Sequence, residues 1–309
     1  MRRKRVVRSA DVDANSFQRQ VEMLAITLTH KVEREGIRRL QYPDFAVTDL
    51  GVILRQATYT YDLLFFLHSD QIREGSAYRQ EYSIAALPLI RTMIDCLYNI
   101  TAILDDPGTR SPAFRKSGYA QLLRSLDEET RIYSGQPEWD DYLRKRKDDI
   151  SIDMRSVNIK ESECREMPLW PTLSQYIRAK KGKELTLHQN FLKTLTFGYW
   201  AEYSSISHAT FPGLKATAPF FLKDRTPHHI RDFLEDRCEL FVSQHLARAA
   251  GILLCIVTEL QIYFRFEGAR IGDRIDEAWK ALNVFLEVKE LYERRYAELL
   301  SANGISSCL

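Results

Sequence analysis

Apolar residues in this chain recur every three or four positions and almost never every second one, which is the spacing of helices with one buried face. Phe17, Val21, Leu24, Ile26, Leu28 and Val32 predict a first helix from about Asp13, weakened at Gly36. Pro43-Asp44 opens a second, with Asp44 as its cap, running through Val52, Ile53, Tyr59, Leu63, Leu64 and Phe66 towards His68. A third is expected over Tyr78–Asp105, kinked at Pro88 or beginning there, because proline lacks the N–H that a helix interior needs. Asp106-Pro107-Gly108 stops it, and Ser111-Pro112 begins a fourth whose apolar face is Tyr119, Leu122, Leu123 and Leu126.

Further on, Gly135 and Pro137 close that helix, and Pro168 and Pro171 punctuate the chain around Trp170. A short helix at Leu173–Lys180 precedes a longer one at Leu187–Ser207. Pro212, Gly213 and Pro219 predict a long loop over residues 209–226, rich in phenylalanine and therefore a candidate surface for a protein partner. Thr226 and Pro227 then start a very long helix that reaches about Phe266, and an amphipathic helix at Asp273–Leu300 closes the pattern. No stretch alternates as a strand does, and no internal repeat occurs. The expected fold class is all-α, a bundle of long antiparallel helices: one domain over 13–309, with 270–309 open to being a helical extension.

Composition changes this picture little. With 309 residues, 45% hydrophobic and 28% charged, the chain is long enough for a sizeable core and unlike a disordered one. The net charge of +2 does not advertise nucleic acid or a membrane surface through the whole molecule. Its basic excess is local: Arg2, Arg3, Lys4, Arg5 and Arg8 make residues 1–12 a basic arm expected to be disordered. Arg144-Lys145-Arg146-Lys147 is followed by Asp148-Asp149, the mark of a solvated helix with internal ion pairs. Five scattered cysteines with no Cys-x-x-Cys point away from disulfides and cysteine metal sites and towards a reducing, cytoplasmic setting. No membrane span is read, since no apolar run reaches about 18 residues without interruption.

Candidate chemistry gathers in two helices. In Ile84–Leu104 an apolar segment carries Arg91, Asp95 and Asn99 at i, i+4 and i+8, on one face. An unpaired charge there would be very costly, so the stripe is either a register-setting ion pair or a site in which Arg91 grips a phosphate or carboxylate and Asp95 orients it. In Phe197–His208, Trp200, Ser204 and His208 share one row and Tyr199, Tyr203 and Ser207 another, ending at a histidine suited to acid–base work or to capping. A Ser204–His208 nucleophile pair lacks a Gly-x-Ser-x-Gly elbow and an orienting acid. His228-His229 with Asp232, Glu235 and Asp236 reads as an acidic helix start rather than a metal site, and neither a metal nor another cofactor is expected. No P-loop or Gly-x-Gly-x-x-Gly occurs.

Two of these segments carry a resemblance. LIRTMIDCLYNITAILDDP and Tyr203–His208 (YSSISH) resemble paired motifs of a family of all-helical bacterial proteins that is similar in outline to the HEPN superfamily of toxin–antitoxin and antiviral defence systems. The resemblance implies a HEPN-like helical bundle, a homodimer, and an RNA- or nucleotide-directed effector that acts as a metal-independent ribonuclease. Its catalytic residues would be Arg91, Asp95 and His208, with Asn99, Tyr203, Ser204 and Ser207 lining the site. The superfamily's Arg-x(4–6)-His run is absent here, so the resemblance requires Arg91 to meet His208 from another helix. The alternative from another class is a non-catalytic helical interaction or scaffold protein.

Overall fold

The computed structural model describes residues 14–39, 44–68, 79–178, 184–222, 227–268 and 270–302. The basic arm and the last seven residues lie outside them. The described residues are mostly helical, without a strand, and form an all-α bundle.

Four long helices make its centre: α1 (Ala14–Arg39), α2 (Asp44–His68), α4 (Pro88–Asp105) and α12 (His228–Phe264). Each packs on two of the others in the cycle α1–α2–α4–α12–α1. Four connecting residues reach only ~14 Å, whereas helices this long extend ~38 Å, so α1 and α2 must run antiparallel. The apolar rows anticipated in the sequence fill the interior: Phe17, Val21, Leu24, Leu28 and Val32 of α1 are buried against Leu50, Leu54 and Tyr61 of α2. The turn at Leu87 separates α3 (Arg79–Ala86) from α4, with Pro88 in the first turn of α4, where a missing N–H costs nothing.

Asp106-Pro107-Gly108 both ends α4 and starts α5 (Pro107–Ile132), because Asp106 accepts a hydrogen bond from the Thr109 N–H at 3.4 Å. The helix therefore begins earlier than Ser111, and Pro112 falls within its first turns. With α6 (Asp140–Ser156) and α7 (Glu161–Arg165), α5 encloses a second, smaller apolar cluster of Leu123, Leu126, Ile150, Met154, Ile159 and Cys164. The charged run on α6 is solvated, and Arg144 pairs with Asp141 one turn away. After α8 (Leu173–Tyr176), a capping box of Thr186 and Gln189 opens α9 (Leu187–Leu195). It continues through a π-helical turn, Thr196–Trp200, into α10 (Ala201–Ser207).

Two expectations are corrected. Residues 211–221 are not a loop but helix α11 (Phe211–Phe221), with Pro212 in its first turn and Pro219 near its end. Proline and glycine punctuate helices only where their backbone is needed, and Gly213 serves a packing role: a Cβ there would fall inside the Ser205 carbonyl, so α11 seats directly on α10. The last amphipathic segment is broken into α13 (Ile271–Leu282), α14 (Leu286–Leu291), a π turn at Tyr292–Tyr296 and α15 (Ala297–Ala302). Its residues Trp279, Leu282, Val288, Tyr296 and Leu300 belong to the main core.

Tyr82–Asp105 and Ile230–Phe264 are long and apolar enough to cross a membrane by length and composition. In the bundle 67% and 72% of the most apolar 18-residue window of each is buried, as in a core helix. Cys96, Cys164, Cys238 and Cys255 are buried, and none is in a disulfide.

Candidate functional site

Helices α4 and α10 pack against each other and bring their polar rows together. Arg91 Nη1 lies 2.8 Å from His208 Nε2. A guanidinium only donates, so Nε2 accepts, and the imidazole carries its proton on Nδ1. Trp200, two turns before His208, completes the arrangement. Its indole N–H donates to Asp95 Oδ1 at 3.2 Å, and its ring lies under the Arg91 guanidinium at 5.1 Å. Asp95 Oδ2 is 3.9 Å from Arg91 Nε, an ion-pair distance rather than a hydrogen bond, and that Nε has no hydrogen-bond partner among the described residues. Burial pushes the Asp95 carboxyl above its ordinary range, against the opposing pull of the Trp200 hydrogen bond and the Arg91 charge.

Exposure decides what this cluster can do. The Arg91 side chain is 26% exposed and that of Asp95 45%, while His208 stands at the surface as the C-terminal cap of α10, its N–H bonded to the Ser204 carbonyl. The cluster is thus a shelf open to solvent, with a guanidinium, an imidazole and an indole face in contact. Beyond it, Ala209 takes a left-handed φ of 48°, which turns the chain sharply into α11.

The remaining predicted site residues divide. Ser204 is half-buried and Ser207 exposed beside His208 on the same last turns. Asn99 is not part of the shelf: its side-chain oxygen accepts from the Trp170 indole at 3.0 Å, two turns along α4. Tyr203 is fully buried and lines no open site. Its hydroxyl meets His245 Nδ1 of α12 at 2.7 Å. A π turn and a helical period of 3.6 explain the split: Tyr199 and Tyr203 turn inward while Trp200, Ser204 and His208 stay on the rim facing α4.

Sequence reasoning missed that inner network. Arg248, one turn after His245 on α12, donates to Glu202 Oε2 at 2.8 Å and to Glu287 Oε1 at 3.0 Å, and it lies over the Tyr199 ring at 5.1 Å. Burial, and then the Arg248 charge, push the His245 imidazole down to about 3, so it is neutral. Glu202 approaches its Nε2 only to 3.8 Å and is already taken by Arg248, which is why this contact does not make His245 a cation. The legible signal was His245 and Arg248 at i, i+3 inside the long apolar stretch of α12, the same kind of signal that singled out Arg91 and Asp95.

A groove of about 650 Å³ lies on this other side of α9 and α10, bordered by Lys193, Phe197, Tyr199, Arg248, Glu287 and Arg294; neither Arg91 nor His208 reaches it. Among the described residues no three His, Cys, Asp or Glu side chains converge as a cation site would require, and the side chains of His229 and Glu235 lie outside them. The fold and shelf define an all-α helical bundle with an exposed Arg–His–Trp cluster. No family model, curated protein or solved structure matches the chain.

Proposed function

We propose that the shelf is a phosphodiester site and that the protein is an RNA-directed effector with metal-independent ribonuclease activity, in keeping with its resemblance to HEPN proteins. The observation that carries this reading is the 2.8 Å contact between Arg91 and His208, residues 117 positions apart, on an open surface. One of the five guanidinium N–H groups is spent on His208 and the Nε–H is shielded, and the remaining Nη donors are of the kind that grip phosphate oxygens. In this scheme Arg91 binds the phosphate and stabilises the charge that builds on it during attack by the ribose 2′-hydroxyl. When the phosphate draws the Arg91 guanidinium onto its own oxygens, the Nε2 lone pair of His208 is released to take the 2′-hydroxyl proton, the P–O5′ bond breaks as the 2′,3′-cyclic phosphate forms, and the 5′-oxygen leaves with a proton from solvent. Trp200, with Asp95, holds Arg91 in place.

The test is incubation of the purified protein with mixed single-stranded RNAs in the presence of a metal chelator, beside His208→Ala and Arg91→Ala. Cleavage that ends in 2′,3′-cyclic phosphates and is lost in both variants is the expected result. RNA left intact by the wild type, or cut equally by His208→Ala, ends the proposal.

A second reading, a non-catalytic interaction protein, has its own supporting observation. Phe211, Leu214, Phe221 and Leu222, on and just beyond α11, are 46–78% exposed next to the shelf. Under that reading Leu214→Asp abolishes capture of a partner while His208→Ala leaves it intact, and a pull-down with both variants distinguishes the two.

A further inference from the structure

The exposed side of α2 has an unusual composition. Between Gly51 and Leu67 its exposed residues are Val52, Gln56, Tyr59, Leu63 and Phe66, and every residue between them is buried or half-buried. Four of the five are large and apolar: Val52 is 60% exposed, Tyr59 63%, Leu63 44% and Phe66 49%. Surface helices normally present charge on this side. The intervals between these positions are four, three, four and three, the spacing of the d and a positions of a two-stranded coiled coil. A single polar residue, Gln56, occupies an a position, the usual device for fixing register.

Charge selects the occupant. In the heptad defined by those residues, Arg55 and Asp62 both fall at g, and antiparallel coiled coils pair g with g. If Gln56 of one copy packs opposite Tyr59 of another, and Val52 opposite Leu63, then Arg55 of each copy comes opposite Asp62 of the other. Asp62 has a vacancy for it: its shielded Oδ1 accepts no hydrogen bond among the described residues. Burial, and then the neighbouring Glu22, raise its carboxyl to about 6, as expected of an acid lacking a cation. Arg55 already holds Glu33, with Nε to Oε1 at 2.8 Å, and its fork has further donors to share.

We propose that the exposed face of α2 is an isologous interface at which a second copy of this chain docks its own α2 antiparallel, closed by two Arg55–Asp62 pairs. This surface is built from residues other than those of the Arg91–His208 shelf, so the inference stands or falls without it. A C2 dimer of this kind is self-complementary and closes, leaving no edge for further growth.

The test is the mass of the full chain by light scattering and sedimentation over a wide concentration range. The wild type is expected to be a dimer, and Leu63→Asp a folded monomer with wild-type helical content whose melting temperature equals that of the wild type diluted below its dissociation constant, because that side chain is already at the surface. Asp62→Arg sets arginines face to face and weakens the dimer at least tenfold, as does Arg55→Glu, which opposes two acids; the double variant regains most of the loss in an antiparallel register. A monomeric wild type overturns the proposal and leaves the stripe to another occupant. A dimer indifferent to Leu63→Asp overturns it too, and a double variant no better than the singles overturns the antiparallel register.

Discussion

The two arginine–histidine pairs of this protein are made from the same residue types, and each joins neighbouring helices. Arg91 and His208 meet at the rim between α4 and α10, and Arg248 and His245 lie on α12 beneath the same α10. What separates them is water. His245 is 2% exposed, and the Arg248 side chain is 16% exposed and held by two carboxylates. Inside, the Tyr203 hydroxyl meets His245 Nδ1, and Arg248 spends both ends of its fork on Glu202 and Glu287, leaving its shielded Nε without a hydrogen-bond partner among the described residues. Outside, Arg91 has one imidazole and one distant carboxylate, and donors to spare. A closed network sets the geometry of a core, whereas an open one can receive a ligand.

Stability measurements break the comparison most sharply. Arg248→Ala empties the space of a largely shielded guanidinium and releases the half-buried Glu202 and Glu287, and is expected to cost ~2 kcal/mol, whereas Arg91→Ala, at the rim, should cost about 1 kcal/mol or less. Thermal or denaturant melts of the two variants check this, and an equal loss in both would make the shelf as structural as the core.

The pH dependence of stability comes next. The folded His245 binds its proton far more weakly than the unfolded one, so the unfolded state takes up a proton between about pH 6.5 and 3 while the folded state does not. Its contribution is present above pH 6.5 and is lost as the pH falls through that window, by an amount on the order of 4 kcal/mol. Asp62 works the other way over a narrower range, adding stability as the pH falls through about 6. His245→Asn is expected to flatten the acid limb of a melting-temperature profile.

Smaller effects sharpen the picture. Tyr203→Phe removes a single buried hydrogen bond, with an expected loss of about 1 kcal/mol and no direct effect on RNA cleavage, since the hydroxyl faces α12. Asp95→Asn keeps an acceptor for Trp200 and removes the charge beside Arg91, so stability should change by well under 1 kcal/mol. Cleavage, under the proposed scheme, should fall about tenfold, as expected when a residue that orients a phosphate ligand is blunted.

Much was settled by the amino-acid sequence alone. A period of 3.6 in the apolar positions dictates helices and assigns their buried faces, because that is the only way such rows leave water together; Phe17 to Val32 and the α4 core followed. Local capping chemistry set the breaks at Pro88 and Asp106. The same periodicity singled out Arg91, Asp95 and His208, since polar groups in apolar rows demand an explanation.

Only the tertiary structure decided which of those residues share a site. Sequence spacing speaks of one helix at a time, so Asn99 looked equivalent to Asp95 until Trp170 claimed it, and Tyr203 equivalent to Ser204 until α12 covered it. Proline and glycine in residues 209–226 read as a loop because their local propensities favour one, yet burial of Gly213, Thr217 and Phe220 holds the segment helical. The contact between Arg91 and His208 likewise comes from α4 packing on α10, a long-range contact whose free energy lies in the burial of many neighbours and not in the two side chains that meet.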